Sequence, residues 1–352
     1  MKTLRIILLL ACFNTANAQI LDLTRDILKA TNHQEKLKRK KAKMDSLNFT
    51  CAIAVSDNTG FYEEDQQLKR SGNEYMQNWL ADNDELARKM NDPFEKAISQ
   101  TELGETMMKM NKYKAAENAF NEAQKFFVQA GNVENIYYAK LLTNFGILYS
   151  NLSNFEEAEK YLQEVLDLRK KIIGEQSTDV AVSLNNLAVL HNQKGSYSTA
   201  QALIEKAIQT AESANTDKGL LAIMYNNKAY FLQMIGQTQQ SLEIYEKAIQ
   251  MNAEENKKKG LTFQRIATNK TLALQELGRT DEAIELCEKI IKIRKNRLGT
   301  SSPDYAHLLN IAASLYMQKQ DYKKVESYLQ DAYKIYKKKL GEQHPSTAKV
   351  LN

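Results

Sequence analysis

A small residue returns down this chain at a near-constant interval: Gly104, Gly146, Ala188, Ala229, Thr271 and Ala313, separated by 42, 42, 41, 42 and 42 residues. A second small position follows each of these by twelve residues and holds Ala116, Ala158, Ala200, Ser241, Ala283 and Val325. Two rows of small side chains at fixed offset describe a unit of two helices packed closely against each other. One helical hairpin cannot bury its apolar face alone, so recurrence at this period implies a solenoid in which each hairpin stacks on the next. Function is then expected on a surface rather than in a reaction centre.

The composition agrees with helix nearly everywhere. Only 3 prolines and 13 glycines interrupt 352 residues, and Lys, Glu, Gln, Ala and Leu, all good helix formers, abound. In the third repeat, Leu184, Leu187, Ala188 and His191 recur at helical spacing, followed by Tyr197, Ala200, Ile204, Ala207 and Ile208. Gly195-Ser196 supplies the turn between these helices, with equivalent breaks at Asn111-Lys112, Ser153-Asn154, Gly236-Gln237, Gly278-Arg279 and Gln320-Asp321. Between repeats, Ile173-Gly174-Glu175-Gln176, Leu298 to Pro303 and Leu340 to Pro345 place a glycine after a helix and a polar cap or proline before the next. The expected fold is all-α: a right-handed α-solenoid of about six stacked hairpins over residues 93–345 with an N-terminal helical extension.

The segment Leu184-Asn185-Asn186-Leu187-Ala188-Val189-Leu190, with the Leu-Gly-Glu-Gln-His-Pro loop at 340–345, resembles the 42-residue tetratricopeptide repeat of kinesin light chains. The resemblance runs through six repeats from about residue 93 to the end. It departs from the pattern at Thr271 and Val325, which stand where smaller residues are preferred, and in the loop before the fourth repeat, which is one residue short. The resemblance implies that the first helices line an inner groove, and that asparagines there can bond the backbone of a bound peptide.

The N-terminus reads as an export signal. Lys2 and Arg5 precede an apolar stretch from Ile6 to Phe13, and Ala16-Asn17-Ala18 offers a cleavage site. Residues 1–18 are therefore expected to be removed, leaving a soluble periplasmic or secreted chain with no transmembrane segment, the stretch being too short to span a bilayer. A rival reading places a lipid anchor at Cys12, because Leu9-Leu10-Ala11 before it loosely resembles a lipoprotein processing site. After cleavage Cys51 and Cys287 remain; Cys287 falls at a helix-packing position, and no structural bridge is expected. Residues 19–92 read as a helical extension, with Trp79 in a helix from Glu74 to Met90 that covers the first repeat. Six positive charges lie between Lys36 and Lys43. They read first as a solvated helix face, with acidic lipid headgroups or an acidic partner as the alternatives, and with no interleaved aromatics nucleic acid is not expected as a partner. Residues 346–352 read as the incomplete first helix of a seventh repeat.

Asparagine is a poor helix former, yet it returns at one register. Asn144, Asn186, Asn227 and Asn269 stand two positions before the small residue, and Asn185, Asn226, Asn310 and Asn352 three positions before it. Two explanations are open: bonds from helix to helix between repeats, or a row of amides on the concave face for a bound main chain. Packed helices sit roughly 8 to 10 Å apart and an extended peptide advances about 3.3 Å per residue, so each repeat would meet about every third ligand residue. An amide both donates and accepts, as a peptide backbone does. Val189, Tyr230, Gln193 and Gln233 are further candidates for the partner-binding lining, which is apolar and amide-rich with little charge.

No catalytic constellation is expected. The four histidines His33, His191, His307 and His344 pair with no thiol, and neither a glycine-rich phosphate loop nor a His-Glu-x-x-His motif occurs. The chain is read as a non-enzyme without metal or other cofactor, an exported scaffold holding a protein or peptide in its concave groove. The alternative reading is the N-terminal binding region of a larger signalling or proteolytic protein, with a caspase-like protease or sensor kinase domain downstream.

Overall fold

The computed structural model describes residues 92–109, 112–254, 260–297, 300, 302–342, 347 and 350. The expected signal peptide, Cys12, His33, the basic run, Cys51, the Trp79 helix, His344 and Asn352 lie outside the described residues, as does most of the stub at 346–352. Among the described residues there are twelve helices and no strand: α1 Pro93–Lys109, α2 Tyr113–Gln129, α3 Ile136–Asn151, α4 Phe155–Ile173, α5 Thr178–Gln193, α6 Tyr197–Ser213, α7 Lys218–Met234, α8 Thr238–Glu254, α9 Leu261–Glu276, α10 Thr280–Arg297, α11 Pro303–Gln318 and α12 Tyr322–Leu340. Each odd-numbered helix packs against the even-numbered helix after it, and each hairpin packs on the next.

The helix ends follow local chemistry. Ser177, Asp217 and Ser302 stand at N-caps, their side-chain oxygens accepting from Val180, Gly219 and Tyr305 N–H groups at 3.3, 2.8 and 3.1 Å; Pro303 follows as the first residue of α11. At the turn inside the third hairpin, Gly195 takes φ 75°. Its N–H donates to the Asn192 carbonyl and that of Ser196 to the His191 carbonyl, the paired bonds that close a helix through a left-handed residue. Ser153 and Gln320 hold the same place in other hairpins at φ 58°, where an L side chain is strained.

The rows of small residues sit in the hairpin contacts. Ala188, Ala229 and Thr271 are fully buried on first helices, as are Ala116, Ala158, Ala200, Ser241 and Ala283 on second helices. A Cβ at Gly104 would enter the Phe120 ring, and one at Gly146 would lie 2.6 Å from Leu162. The departures from the pattern are accommodated locally. The Thr271 hydroxyl donates to the Ala267 carbonyl at 2.8 Å, and Val325 packs against Ala313 and Tyr316. The second helices are amphipathic, whereas α5 buries every residue from Val180 to Leu190 and α7 every residue from Gly219 to Asn227. Cys287 is a free, buried thiol.

Candidate functional site

First helices contact first helices as well as their hairpin partners. α1 meets α3, and α5, α7, α9 and α11 meet in series, while α3 and α5 form the loosest consecutive pair. This layer carries both asparagine rows.

The two rows interlock. Asn227 on α7 donates from Nδ2 to Asn185 Oδ1 on α5 at 3.0 Å, and Asn269 on α9 donates to Asn226 Oδ1 on α7 at 3.0 Å. Asn226 Nδ2 lies 3.4 Å from Asn227 Oδ1, which joins the two bonds into a four-amide chain running from α9 to α5. In each rung, the asparagine two positions before the small residue donates to the asparagine three positions before it in the preceding repeat. Asn144 reaches backward in the same way, but α1 offers Thr101 at the acceptor register, its hydroxyl donating to Ala97. The amide turns instead to Glu105 Oε1 at 2.8 Å. Glu105 is buried and forms an ion pair with Lys140 at 2.8 Å, so its charge is balanced inside the layer.

Asn144, Asn185, Asn226, Asn227 and Asn269 are therefore all buried and all bonded from helix to helix, the first of the two explanations open to the sequence. Asn186 is 4% exposed, and neither its Nδ2 nor its Oδ1 has a partner. Asn185 Nδ2 and Asn310 Oδ1 are likewise buried without a partner. Val189 is buried and Tyr230 half-buried, the latter edge-to-face with Phe231 at 6.5 Å. Gln193 accepts from the Ser150 hydroxyl at 2.7 Å. Gln233 donates to Glu276 at 2.8 Å and accepts from Tyr245 at 3.3 Å. These two glutamines thus form a second line of bonds between repeats near the C-terminal ends of the first helices.

Glu105, Lys140 and Ser150 belong to this layer and were not anticipated. Glu105 directly follows Gly104, the register that holds Ile147, Val189 and Tyr230 in later repeats, so alignment on the small residue points to it. The recess between the first two hairpins, lined by Val128, Val133, Glu134, Tyr138 and Leu168 among others, includes none of the asparagines. The Cys287 thiol is pushed up to about 12 by burial first and by Glu288 second, the reverse of an activated nucleophile. His191 Nε2 lies 3.5 Å from Glu159. No helix among the described residues is long and apolar enough to cross a membrane.

A family profile described as tetratricopeptide repeat matches residues 95–171, 137–213 and 263–338, and a second profile of the same description matches 222–255. Among curated proteins, regulatory protein RapG of Bacillus subtilis (strain 168) is 28% identical over 171 residues, 47% of this chain and 44% of that relative. This chain thus aligns with less than half of the relative's length. Among solved structures, a Podosopora anserina kinesin light chain with nearly identical TPR-like repeats aligns at 18% identity and TM-score 0.48, over 55% of this chain and 92% of that chain. A Rap protein complexed with Competence and Sporulation Factor aligns at 15% identity and TM-score 0.51, over 74% of this chain and 80% of that chain. At such identity the likeness is one of fold.

Proposed function

The chain belongs to the tetratricopeptide repeat family, and from that premise we propose that it is an exported, non-catalytic scaffold that holds an extended segment of another protein on its first-helix layer. The observation that carries this reading is the layer itself, which brings amide and apolar side chains of successive repeats side by side in register. A Rap protein of similar fold complexed with Competence and Sporulation Factor supports a binding role for such an array. The asparagine ladder serves the partner indirectly, by holding neighbouring first helices in register. Export rests on the signal-like residues 1–18.

Panning the purified full chain against displayed random short peptides tests the binding part. Enrichment of peptides that compete with one another for one face is expected, and failure to enrich any peptide refutes it. Expression of a C-terminally tagged chain in a secreting bacterial host tests the export part, with Gln19 expected as the first residue of the mature protein. Retention of Met1 removes the export claim and leaves the binding claim standing.

A further inference from the structure

Charge is distributed unevenly along the array. Residues 93–254 hold 15 Lys and Arg against 19 Asp and Glu, whereas residues 261–340 hold 15 against 9. Within the last two hairpins the excess is segregated again. All four carboxylates of α10 precede Lys289, and Lys289, Lys292, Arg294, Lys295 and Arg297 follow with none among them. α12 ends the same way, with Lys334, Lys337, Lys338 and Lys339 after its last carboxylate, Asp331. Both are second helices, which run in the same direction in successive hairpins, so the two lysine-rich ends lie on one edge of the second-helix layer. The Tyr328 hydroxyl of α12 donates to Glu288 of α10, which sets these helices side by side. Lys289, Lys292, Lys295 and Lys338 are exposed and take part in no ion pair among the described residues. By contrast, Lys114, Lys125, Lys160 and Lys171 on α2 and α4 are each paired with a glutamate.

We propose that this edge of α10 and α12 is a docking surface for an anionic lipid bilayer, held by the unpaired lysines against the phosphate headgroups. The helix dipole favours cations only in the last turn, and Lys289 and Lys292 stand before it. Glu288, the carboxylate beside them, is occupied by the Tyr316 and Tyr328 hydroxyls, so the array does not neutralise the cluster from within. Three features favour a bilayer among polyanions. The unpaired side chains are lysines, compact point charges, whereas a fixed grip on carboxylate or phosphate uses the planar fork of arginine. Among the described residues, none of the exposed large apolar side chains falls in 289–297 or 334–339, and a specific protein interface needs such anchors at its centre. An exported chain meets headgroups and not nucleic acid, and to that extent the choice rests on the export reading above. Attraction to a bilayer asks only for several cations on one face within about a Debye length, roughly 8 Å, of the surface. Because the lysines stand on second helices, docking there leaves the first-helix layer to a protein partner.

Co-sedimentation of the purified soluble chain with vesicles tests this, using phosphatidylcholine alone and phosphatidylcholine mixed with phosphatidylglycerol. Binding is expected to the anionic vesicles only, with release at high salt. Each lysine beside an anionic surface adds about fivefold to partitioning, so Lys289→Gln, Lys292→Gln, Lys295→Gln and Lys338→Gln combined should weaken it by at least about a hundredfold. The melting temperature of that variant should not change, all four side chains being exposed and unpaired. Lys114→Gln, Lys125→Gln, Lys160→Gln and Lys171→Gln combined remove the same formal charge far from the edge and should alter partitioning by less than about threefold. The basic run from Lys36 to Lys43 is common to all three proteins, so its contribution cancels in these ratios. Absence of binding to anionic vesicles overturns the proposal. So does equal weakening in the two variants, which traces the attraction to net charge alone. Capture of soluble polyglutamate by a chain that ignores the vesicles overturns it in favour of an acidic protein. Retention of Met1 in the secreting host fails the export reading alone, and loss of vesicle binding fails this one alone.

Discussion

Replacing Asn227 with leucine removes the donor of a bond in which both partners are buried, Asn185 fully and Asn227 to 5% exposure. Asn185 Nδ2 already has no partner, so the variant leaves that amide without a bond at either atom. Stranding one buried polar group costs about 1–3 kcal/mol, whereas replacing both partners by apolar groups of similar shape is close to neutral. Asn185→Leu should cost about the same by stranding Asn227 Nδ2, and the double variant should recover the part that belongs to this pair, a coupling of about 1–3 kcal/mol, while Asn226 Nδ2 still lacks its long 3.4 Å bond to Asn227 Oδ1. For a folded body of this length each kcal/mol moves the melting temperature by about 2–4 °C. Each single variant should therefore melt roughly 3–10 °C low, and the pair should melt well above the sum of the two losses. Because repeat arrays can lose cooperativity, amide hydrogen exchange should accompany the melts, with lost protection centred on α5 and α7. If the double variant loses the sum of the two single losses, the asparagines act independently and the rung has no energetic reality.

Three further outcomes follow from local geometry. Gly146→Val should lower the urea midpoint by the equivalent of about 1–3 kcal/mol, because a Cβ there meets the buried Leu162 side chain at 2.6 Å; an unchanged midpoint refutes the close-packing role of the small row. Gln320→Gly should raise the midpoint by about 0.5–1 kcal/mol by relieving φ 58° at that turn, and a lower midpoint would show that the side chain holds the turn. The raised Cys287 thiol makes the folded state hold its proton more tightly than the unfolded chain, so stability is complete below the ordinary thiol value of 9.0 and falls as pH rises from there toward about 12. The slope approaches about 1.4 kcal/mol per pH unit, and Cys287→Ala should flatten it between pH 9 and 10; an equal slope in both proteins rules out the thiol as its source.

The sequence made the hairpins legible because their signals are local. Small residues at fixed offset, glycine at Gly195 and a cap at Ser177 each act within a turn or two of helix, and the helices begin and end where those residues stand. The job of the asparagines was not legible from one row at a time, because a rung joins residues 42 or 43 positions apart and needs the right residue at both ends. Read together, the rows already contain the rule. Asn227 follows a repeat carrying Asn185 and Asn269 follows one carrying Asn226, and both form rungs. Asn144 and Asn186 follow repeats carrying Thr101 and Thr143, and neither does. Glu105 was missed for a related reason: its charge sets it apart from the apolar residues at its register, and only its partners Lys140 and Asn144 make a buried carboxylate tolerable there.

Thr143→Asn tests that rule in the constructive direction. The substitution gives α3 the acceptor that α5 lacks, at a position 8% exposed whose present hydroxyl only returns to its own helix. If α3 and α5 draw together enough to close the rung, Asn186 Nδ2 gains a partner and stability should rise by about 1 kcal/mol, the net value of one intramolecular hydrogen bond, with slower hydrogen exchange along α3 and α5. A variant that merely disturbs packing loses stability instead, because Thr143 is itself buried. Unchanged or lower stability, with exchange along α3 and α5 no slower, refutes the rule that a donor asparagine needs an acceptor asparagine one repeat earlier.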